Sequence, residues 1–404
     1  MLIAKRFTLG KKLPTAFFFF LAFLLVSREG RGRDIFVPED FPTIQEAIDA
    51  SEFGDSVRVR PGIYYERVVI KAGISLISDS GPEGERLVKG PGEKQVLQRA
   101  LQTIIDGSKL DPPDYLVSFQ KESTAPMKLD GFTIRNLPTK AIDKLYLVEV
   151  RGCSAAVIIN NIICQNHSKG KGGGLLLTGL GPSMGPPLET VAKPTVQHNV
   201  IYDNFGTGIA NGPNSMALIQ DNEIFNNHFP QAKDKEQDAP GIGIREYARP
   251  RILHNLCYQN GSGIGGLDLV SHDQPIVIQG NILRHNWRAG ISLTAINNQQ
   301  KHIVASIEEN EVYGNLKAGI RLENISEATI RGNQVNHNLR AGIAMHGVGV
   351  IRIIQNSILG NISAGLVIEA QKALIEQNRI GYNLDAGIML LPQSQGGQGI
   401  ANAD

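Results

Sequence analysis

The chain has 404 residues, with 40 Lys and Arg against 39 Asp and Glu, so its net charge is +1. This balance argues against a nucleic-acid-binding protein, which would need a basic surface. Aromatic residues make up 6 % of the chain, whereas 44 residues are Gly, a composition that favours many turns over a bulky two-layer core. Length alone suggests two or three domains, but a solenoid need not divide, because its core grows along one axis.

Residues 1–27 form a separate unit at the start of the chain. The apolar run Ala16–Val26 follows four basic residues, Lys5, Arg6, Lys11 and Lys12. Eleven apolar residues are too few to span a bilayer comfortably but are typical of a signal-peptide core. No Ala-x-Ala site precedes Arg28, so an uncleaved amphipathic anchor is the alternative. We predict export to the periplasm, the cell surface or the medium, with no stable membrane span after cleavage.

The three cysteines, Cys153, Cys164 and Cys257, cannot all pair within one chain. Cys257 falls where other repeats have Ile, Val or Leu, so we predict that it is a small core residue. No spacing indicates a metal site or a disulfide framework. We therefore predict neither a metal nor another cofactor.

One pattern recurs from residue 158 onward: an Asn, an aliphatic residue two positions later, and a second Asn five positions after the first. The first Asn of the nine repeats is Asn161, Asn199, Asn222, Asn255, Asn281, Asn310, Asn333, Asn356 and Asn378. The second is Asn166, Asn204, Asn227, Asn260, Asn286, Asn315, Asn338, Asn361 and Asn383. In the last four repeats the first asparagines are 23, 23 and 22 residues apart, and longer gaps elsewhere contain insertions.

A period of about 22 residues provides three short strands and three turns, which is one rung of a β-helix. Asn adopts the left-handed backbone conformation of tight turns, and stacked Asn side chains can link one rung to the next. A Gly usually stands four residues after the second Asn, where a Cβ would clash. The rival leucine-rich repeat would show Leu-x-x-Leu-x-Leu, which is missing. The pattern predicts an all-β fold, a single right-handed parallel β-helix over residues 34–391, followed by a disordered tail at 392–404.

The rungs before residue 158 are less regular. Turn residues separate the predicted strands Ser56–Val59, Arg67–Ile70, Gly73–Ile77, Thr103–Ile105, Leu116–Phe119 and Phe132–Ile134. Ahead of them, Thr43 and Glu46 form a capping box at the start of a short helix. An amphipathic helix there would cover the open apolar end of the stack, where unpaired strand edges invite aggregation.

The N-terminal half also carries a family resemblance. The runs VPEDFPTIQEAIDA, GDSVRVRPGIYYERVVIKAGISLI, TIIDG and DGFTIRN resemble the opening of the pectin-lyase-like superfamily. More narrowly, the chain is similar to exported bacterial proteins with parallel β-helix repeats, of the carbohydrate-binding and sugar-hydrolase type. The resemblance covers residues 34–391 and implies the fold. It does not imply one activity, because members include lyases, hydrolases, esterases, epimerases and proteins with no known reaction.

Equal repeat positions of a solenoid stack into columns about 4.8 Å apart. Eight residues after the second Asn lies a set that we call the acidic column: Asp268, Thr294, Glu323, His346 and Glu369. Asp268 and Glu323 are two rungs, or roughly 10 Å, apart, as are Glu323 and Glu369. Carboxylates at that separation suit an inverting glycosidase, and a His between two glutamates suits a tuned base. The alternative is a solvated sheet face whose charges alternate to avoid repulsion.

Two residues after the second Asn lies the basic column: Arg288, Lys317 and Arg340, continued by Ser363 and Asp385. Stacked cations repel one another unless an anion lies across them, and Arg grips carboxylates in two-point contacts. A uronate polysaccharide would supply both the anion and the carboxylates. A solvated turn edge is the alternative.

An aromatic column, Tyr202, Phe225, Tyr258 and, after Arg284, Tyr313, lies three residues after the first Asn. These rings could stack on sugars, although packing on one another is the favoured interpretation. Trp287 stands where other rungs have Phe205, Leu316, Leu339 and Ile362, so we predict that it is a core residue.

Three insertions, Gly179–Lys193, Ser271–Pro275 and Ala295–His302, follow the acidic column and would wall one side of a groove. One of them contains His272-Asp273, which faintly resembles the Asp-Pro-His-Asp motif of alginate epimerases but lacks the leading Asp-Pro. Met345-His346-Gly347 resembles only a fragment of the Gly-His-Gly motif of polygalacturonases. Neither motif is complete enough to assign a mechanism to this chain.

We therefore predict a monomeric protein that binds an acidic polysaccharide, with no nucleic-acid partner. The sequence leaves open whether it also cleaves or epimerises this polymer. The predicted acid and base residues are Glu323, His346, Glu369, Asp268, His272 and Asp273. The predicted substrate-binding residues are Arg288, Lys317, Arg340 and Arg321. The competing hypothesis is a non-enzymatic envelope scaffold or accessory protein that presents a long, stiff surface.

Overall fold

The computed structural model describes residues 32–111, 114–137, 145–167, 172–180, 191–229, 239–270, 274–296 and 302–392. These residues form a right-handed parallel β-helix with three faces, as predicted. In each complete turn the chain passes along face 2, then face 3, then face 1. The predicted signal unit at 1–27 and nearly all of the predicted tail lie outside the described residues.

Face 1 contains the outward acidic column. Its strands are Val68–Ile70, Tyr115–Phe119, Tyr146–Arg151, Gly172–Thr178, Gly206–Asn211, Ile242–Arg245, Ile264–Leu269, Ile291–Ala295, Ile320–Glu323, the first parts of Ile343–Ile354 and Leu366–Glu376, and Ile388–Leu390. Face 3 is a separate sheet of twelve strands. They are Gly62–Tyr64, Thr103–Asp106, Thr133–Asn136, Ile162–Asn166, Val200–Tyr202, Glu223–Phe225, Leu256–Tyr258, Ile282–Arg284, Glu311–Tyr313, Gln334–Asn336, Ser357–Leu359 and Arg379–Gly381.

Face 2 joins face 1 through the two long strands that run across both. Its other strands are Asp34–Val37, Ser56–Val59, Ser75–Ser78, Met127–Asp130, Ala156–Ile159, Thr195–Gln197, Leu218–Gln220, Arg251–Leu253, Ile276–Gln279, Val304–Glu308 and Glu327–Arg331. All rung-to-rung pairings are parallel, and the inward side chains of the three faces form one continuous aliphatic core.

Both predicted asparagine series form buried ladders at two corners of the solenoid. Asn310, between faces 2 and 3, donates its backbone N–H to the Asn333 side-chain oxygen at 2.9 Å, and its amide donates to the Ile278 carbonyl at 3.0 Å. Asn315, between faces 3 and 1, makes the equivalent bonds to Asn338 and Leu283. The ladders therefore satisfy buried backbone groups at every turn, which confirms that the asparagines are structural.

The left-handed conformation, however, falls on a different residue than predicted. The residue before each ladder Asn has positive φ, for example His254 at 53°, Glu309 at 56° and His337 at 54°. The ladder Asn itself points inward and uses its side chain for the inter-rung bonds. The Gly after the ladder is needed for space, since a Cβ on Gly319 would lie 2.4 Å from a Val335 methyl carbon.

A short helix, Ile44–Ala50, covers the N-terminal end of the stack. Thr43 accepts a hydrogen bond from the Glu46 N–H at 3.2 Å, which confirms the predicted N-cap. The Glu66 carboxylate accepts two further first-turn N–H groups, at 3.0 and 2.9 Å. The buried side chains of this helix seal the apolar core.

Residues 80–102 leave the solenoid and fold over the outside of face 3, and we call them the arm. The arm contains a 3₁₀ turn (Pro82–Glu85), an antiparallel hairpin (Leu87–Lys89 with Gln95–Leu97) and a short helix (Gln98–Gln102). Val96 and Ala100 pack on Ile162, Cys164 and Val200 of face 3. Sequence patterns did not predict the arm, because it lacks the repeat.

Two predictions about core residues had opposite outcomes. Cys257 is fully buried in the core, as predicted, and all three cysteines are buried free thiols. The prediction for Trp287 is wrong, because its side chain is 61 % exposed. Trp287 directly follows a ladder Asn, at the corner where the chain leaves face 3, and this position points outward. No helix in the described residues has the length and hydropathy needed to cross a bilayer.

Candidate functional site

The acidic column lies on the outer side of face 1. Parallel pairing places Thr294 opposite Glu323, and Glu323 opposite His346. The alternate residues Leu322 and Met345 are fully buried, so the column faces outward as predicted. The regular strand register therefore delivers three polar side chains in line on consecutive rungs.

Direct contacts link neighbouring members of the column. His346 Nδ1 lies 3.3 Å from Glu369 Oε2, and the Thr294 hydroxyl donates to Glu323 Oε2 at 3.1 Å. The guanidinium of Arg321, one outward position earlier on the same strand, forms an ion pair with Glu323. Glu323 and Glu369 are about a fifth to a quarter exposed, so both carboxylates remain accessible beside the half-exposed imidazole. The column thus presents a His–Glu pair next to a carboxylate held by Arg and Thr.

Asp268 departs from the predicted register. The pairing between neighbouring strands of face 1 shifts between Gly266 and Leu269, so Leu267 takes the column position and Asp268 is an extra residue with φ of 57°. Its carboxylate pairs with Arg245 at 3.2 Å. A β-bulge of this kind redirects side chains, so Asp268 does not lie in line with Glu323.

His272 and Asp273 lie outside the described residues, as do the central parts of the three predicted wall insertions. At each insertion the chain passes from face 1 to face 2, at the edge that carries the acidic column: from Thr178 to Thr195, from Leu269 to Ile276 and from Ala295 to Val304. The groove wall therefore stays a prediction.

The basic column lies at the opposite edge of face 1. Arg288, Lys317 and Arg340 belong to the connections from face 3 to face 1, six residues before the corresponding acidic-column position. Extended chain rises about 3.3 Å per residue, so the two columns are separated by up to roughly 20 Å across the face. The structure therefore brings Arg321, but not the basic column, into contact with the acidic column.

Sequence reasoning missed several polar residues on the earlier rungs of face 1. Arg245 occupies the acidic-column position of its rung. Three rungs earlier on the same face, Arg151 and Glu149 form an ion pair of 2.6 Å. Burial raises the pKa of Tyr146, and the positive charge of Arg245 partly offsets this effect. Insertions shift the count from the second Asn in these rungs. Alignment on the Gly-Ile pair that begins each strand would have found Arg245.

The aromatic column packs on itself, in agreement with the favoured interpretation. Tyr202 and Phe225 stack at a centroid distance of 5.0 Å, and Phe225 and Tyr258 at 4.9 Å. Arg284 lies over the Tyr258 ring. The arm covers part of this surface, so these rings do not form an open platform for sugar.

A cavity of about 340 Å³ lies between the arm and face 3. Lys89 and Pro91 of the arm, together with Arg135, Cys164 and Tyr202 of face 3, belong to its lining. Burial raises the pKa of Cys164 to about 12, so this thiol stays protonated and is a poor nucleophile at neutral pH.

Two family descriptions match parts of this chain. "Right handed beta helix region" matches residues 119–300, and "Periplasmic copper-binding protein (NosD)" matches residues 266–403. Each covers less than half of the sequence. Among curated proteins, none matches this chain.

The second description raises the question of copper. In the described residues, no three His, Cys, Asp or Glu side chains come together in a way that could hold a metal ion. Within the matched segment His346 and Glu369 provide only two donors, and Met345 is fully buried. The described residues therefore do not fit a copper centre, and we derive no chemistry through one.

Solved structures share the fold at low sequence identity. The A-module of the mannuronan C-5 epimerase AlgE4 from Azotobacter vinelandii is 14 % identical, with a TM-score of 0.54 over 89 % of this chain and 95 % of the module. The Dettilon tailspike protein is 16 % identical, with a TM-score of 0.58 over 88 % and 68 % of the two chains. The catalytic unit of the GH87 α-1,3-glucanase from Streptomyces thermodiastaticus is 15 % identical, with a TM-score of 0.56 over 89 % and 65 %.

At these identities the likeness concerns the fold. It agrees with the parallel pairing of every rung and with the match to the right-handed β-helix region. The chain is therefore a right-handed parallel β-helix protein, as its repeat and its resemblance to β-helix repeat proteins predicted.

Proposed function

We propose that this protein is exported and binds an acidic polysaccharide across face 1, where Glu323, His346 and Glu369 supply acid and base groups for its cleavage or epimerisation. The observation that carries the proposal is the acidic column itself. Three titratable side chains lie on consecutive rungs: Glu323 is paired opposite His346, and His346 contacts Glu369 where the register shifts. Arg321 forms an ion pair with Glu323.

The chemistry of a uronate fits these groups. A base that takes the proton from the carbon next to the sugar carboxylate leaves a carbanion, which a nearby cation such as Arg321 would stabilise. Return of a proton to the opposite side of that carbon epimerises the sugar. Loss of the linked oxygen, with a proton donated by an acid, instead cleaves the chain and leaves a double bond. His346 and Glu369, whose side chains lie 3.3 Å apart, would share these proton transfers.

Support also comes from what similar structures do. The epimerase module, the tailspike and the glucanase use the same solenoid, and two of the three names state an action on a polysaccharide. The basic column, at the other edge of face 1, would hold carboxylates of a chain that crosses the face. The further acid–base candidates Asp268, His272 and Asp273 stay part of the proposal as groups near the groove wall.

The second candidate function is a non-enzymatic scaffold or accessory protein. One observation favours it: the cavity of about 340 Å³ lies between the arm and face 3, on a different face from the acidic column. Binding sites for small substrates are usually concave. An open face would serve binding of a long polymer without turnover.

The test is a screen of uronate polymers, including alginate and polygalacturonate, for binding, for double-bond absorbance, for new reducing ends and for changed uronate composition. The matched pair of variants is His346→Ala and His198→Ala. His198 is an exposed histidine at the corner between faces 2 and 3, away from face 1, and its ring contacts the Gln197 side chain at 3.1 Å.

We expect His346→Ala to lower turnover by about 10²-fold or more, as for loss of an acid–base group, and His198→Ala to leave it unchanged. Binding without turnover in the unaltered protein would favour the scaffold. Failure to bind any polymer would overturn the proposal.

A further inference from the structure

The corner between faces 3 and 1 exposes a row of apolar side chains on five consecutive rungs. Trp287, Leu316, Leu339 and Ile362 are 61, 40, 46 and 55 % exposed, and Leu384 on the last rung is 72 % exposed. Their backbone N–H groups donate to carbonyls of the preceding rung, which holds them in line at about 4.8 Å spacing. We call the first four of these residues the ridge. Soluble proteins rarely expose contiguous apolar rows without a use for them.

Basic side chains outnumber acidic ones along the ridge, where Asp385 of the next rung accepts a hydrogen bond from the Ser363 hydroxyl at 2.9 Å. The four segments around it, 284–292, 313–321, 336–344 and 359–367, contain no Asp or Glu, although the whole chain has 39. They contain five cations, Arg284, Arg288, Lys317, Arg321 and Arg340. Arg284 and Arg321 pair with Glu93 and Glu323, which lie outside the four segments. On three successive rungs a cation directly follows the apolar residue, as Trp-Arg, Leu-Lys and Leu-Arg.

The combination of an exposed apolar residue and a following cation is confined to one part of the solenoid, since Leu384, on the rung after the ridge, is followed by Asp385. At the ridge position the earlier rungs have His167, Phe205, His228 and Gly261, and the next outward position has no run of cations. His167 and Phe205 stack on one another instead of pointing freely outward. The position as such therefore does not require exposed aliphatic residues.

We propose that the ridge and its flanking cations form a peripheral membrane-binding edge that takes up a bilayer containing anionic lipid. Peripheral surfaces of this kind combine Trp and Leu with Lys and Arg, because apolar side chains enter the headgroup region while cations pair with lipid phosphates. The corner of a solenoid is convex, and a fluid lipid interface adapts to a convex edge.

Other occupants fit these observations less well. An acidic polysaccharide would use the cations, but aliphatic side chains offer it little. A second copy of this chain would bring like charges together. The ridge is also only about 14 Å long and one side chain wide, so the area it could bury is far below the roughly 800 Å² per partner of a stable interface. A partner protein would need a groove that matches the convex edge.

The test exploits the fact that Trp287 is the only tryptophan. Full-length protein is mixed with vesicles of phosphatidylcholine alone or with equal phosphatidylglycerol, with and without brominated lipid. We expect a blue shift and bromine quenching of Trp287 emission with anionic vesicles, weakened at high salt. Because the emission comes from the ridge itself, binding through the N-terminal apolar run would not mimic this result.

The variant Leu316→Ser/Leu339→Ser/Ile362→Ser should lower the Trp287 response at least tenfold, whereas Leu87→Ser, at an equally exposed site on the arm, should not. All substituted side chains are exposed, so the variants should fold, which thermal unfolding verifies. The triple variant should keep polymer binding, so this proposal and the polysaccharide proposal fail independently.

Unchanged Trp287 emission with anionic vesicles would overturn the membrane-binding edge. A concentration-dependent dimer that the triple variant abolishes would assign the ridge to a second copy and would also overturn it. The same holds if uronate polymer, but not lipid, shifts the Trp287 emission.

Discussion

The rungs from Asn161 onward and the rungs before it stabilise one solenoid in different ways. The later rungs use two ladders of buried asparagines that bond rung to rung at every turn. The earlier rungs use charged pairs at individual places, such as the buried Arg99–Asp130 pair at 2.7 Å and Arg135–Asp106 at 2.8 Å. Amide ladders repeat and do not titrate, whereas ion pairs are local and depend on pH. The repeat is therefore visible in the sequence only where the ladders stabilise the corners.

The largest expected effect comes from breaking a ladder in its middle. Asn315→Ala removes the bonds that the side-chain amide donates to Asn338 Oδ1 and to the Leu283 carbonyl, and the bond that Asn315 Oδ1 accepts from the Asn286 N–H. It leaves these buried groups unsatisfied. We expect the free energy of unfolding to fall by about 3–5 kcal/mol, measured by chemical denaturation.

Asn136→Ala is the matched control from the earlier rungs. Asn136 is fully buried, but in the described part of the chain its side-chain atoms make no hydrogen bond. Its replacement should cost about 1 kcal/mol. Equal losses for the two variants would mean that the ladder bonds do not distinguish the regions.

A smaller effect is expected where the two regions meet. The fully buried Glu223 carboxylate accepts from the arm N–H groups of Glu93 and Lys94 at 2.6 and 2.9 Å and from the Tyr258 hydroxyl at 2.8 Å. Glu223→Ala should therefore free the arm, at a cost of about 2–4 kcal/mol to its local stability. Hydrogen exchange at the amides of Glu93 and Lys94 measures this.

Glu311→Ala serves as the control, because Glu311 occupies the same strand position three rungs later and is exposed. It should leave arm protection unchanged within about 0.5 kcal/mol. Unchanged exchange in Glu223→Ala would show that apolar packing alone holds the arm.

Low pH should destabilise the earlier rungs more than the later rungs. Burial opposes ionisation of Asp130 and Asp106, but hydrogen bonds from Lys128 and Ser108 and nearby Arg charges outweigh it and lower the pKa of both carboxyls. A carboxyl with a lowered folded-state pKa stabilises the fold above its unfolded pKa, and this stability is lost as pH falls through the folded pKa. Glu66, whose pKa burial raises, acts in the opposite direction.

We therefore expect exchange protection to be lost first in the strands Thr103–Asp106 and Met127–Asp130 as pH falls below about 4. The ladder rungs, such as Ile320–Glu323, should stay protected to lower pH. Simultaneous loss in both regions would show that the solenoid unfolds as one unit in acid.

The smallest effect is expected at Trp287. Because its side chain projects into solvent, Trp287→Ala should change the free energy of unfolding by less than about 1 kcal/mol, whereas Leu283→Ala in the core of the same rung should cost about 2–5 kcal/mol. A large loss for Trp287→Ala would place this side chain in the core after all.

The fold of the later rungs could be predicted from the sequence, because each aliphatic residue, Asn and Gly contacts the residue at the same repeat position of the next rung. Glu323, His346 and Glu369 were found in line for the same reason. Asp268 was assigned to the acidic column by counting eight residues from Asn260, and this count cannot show that the strand contains one extra residue in a bulge. Arg245 was missed because the preceding insertion changes that count.

The amino-acid sequence by itself determined the solenoid, the ladder asparagines and the capped N-terminal helix, because these depend on local spacing and on contacts that repeat every rung. Only the tertiary structure decided how the arm lies on face 3, that Glu223 holds it, and which side of the corner Trp287 occupies. Those outcomes depend on contacts between residues as far apart as Glu93 and Arg284, and no period in the sequence encodes them. The ridge also depends on the tertiary structure. Its residues are apolar at the same repeat position, as core residues would be, and only the turn of the backbone at the corner directs them to solvent.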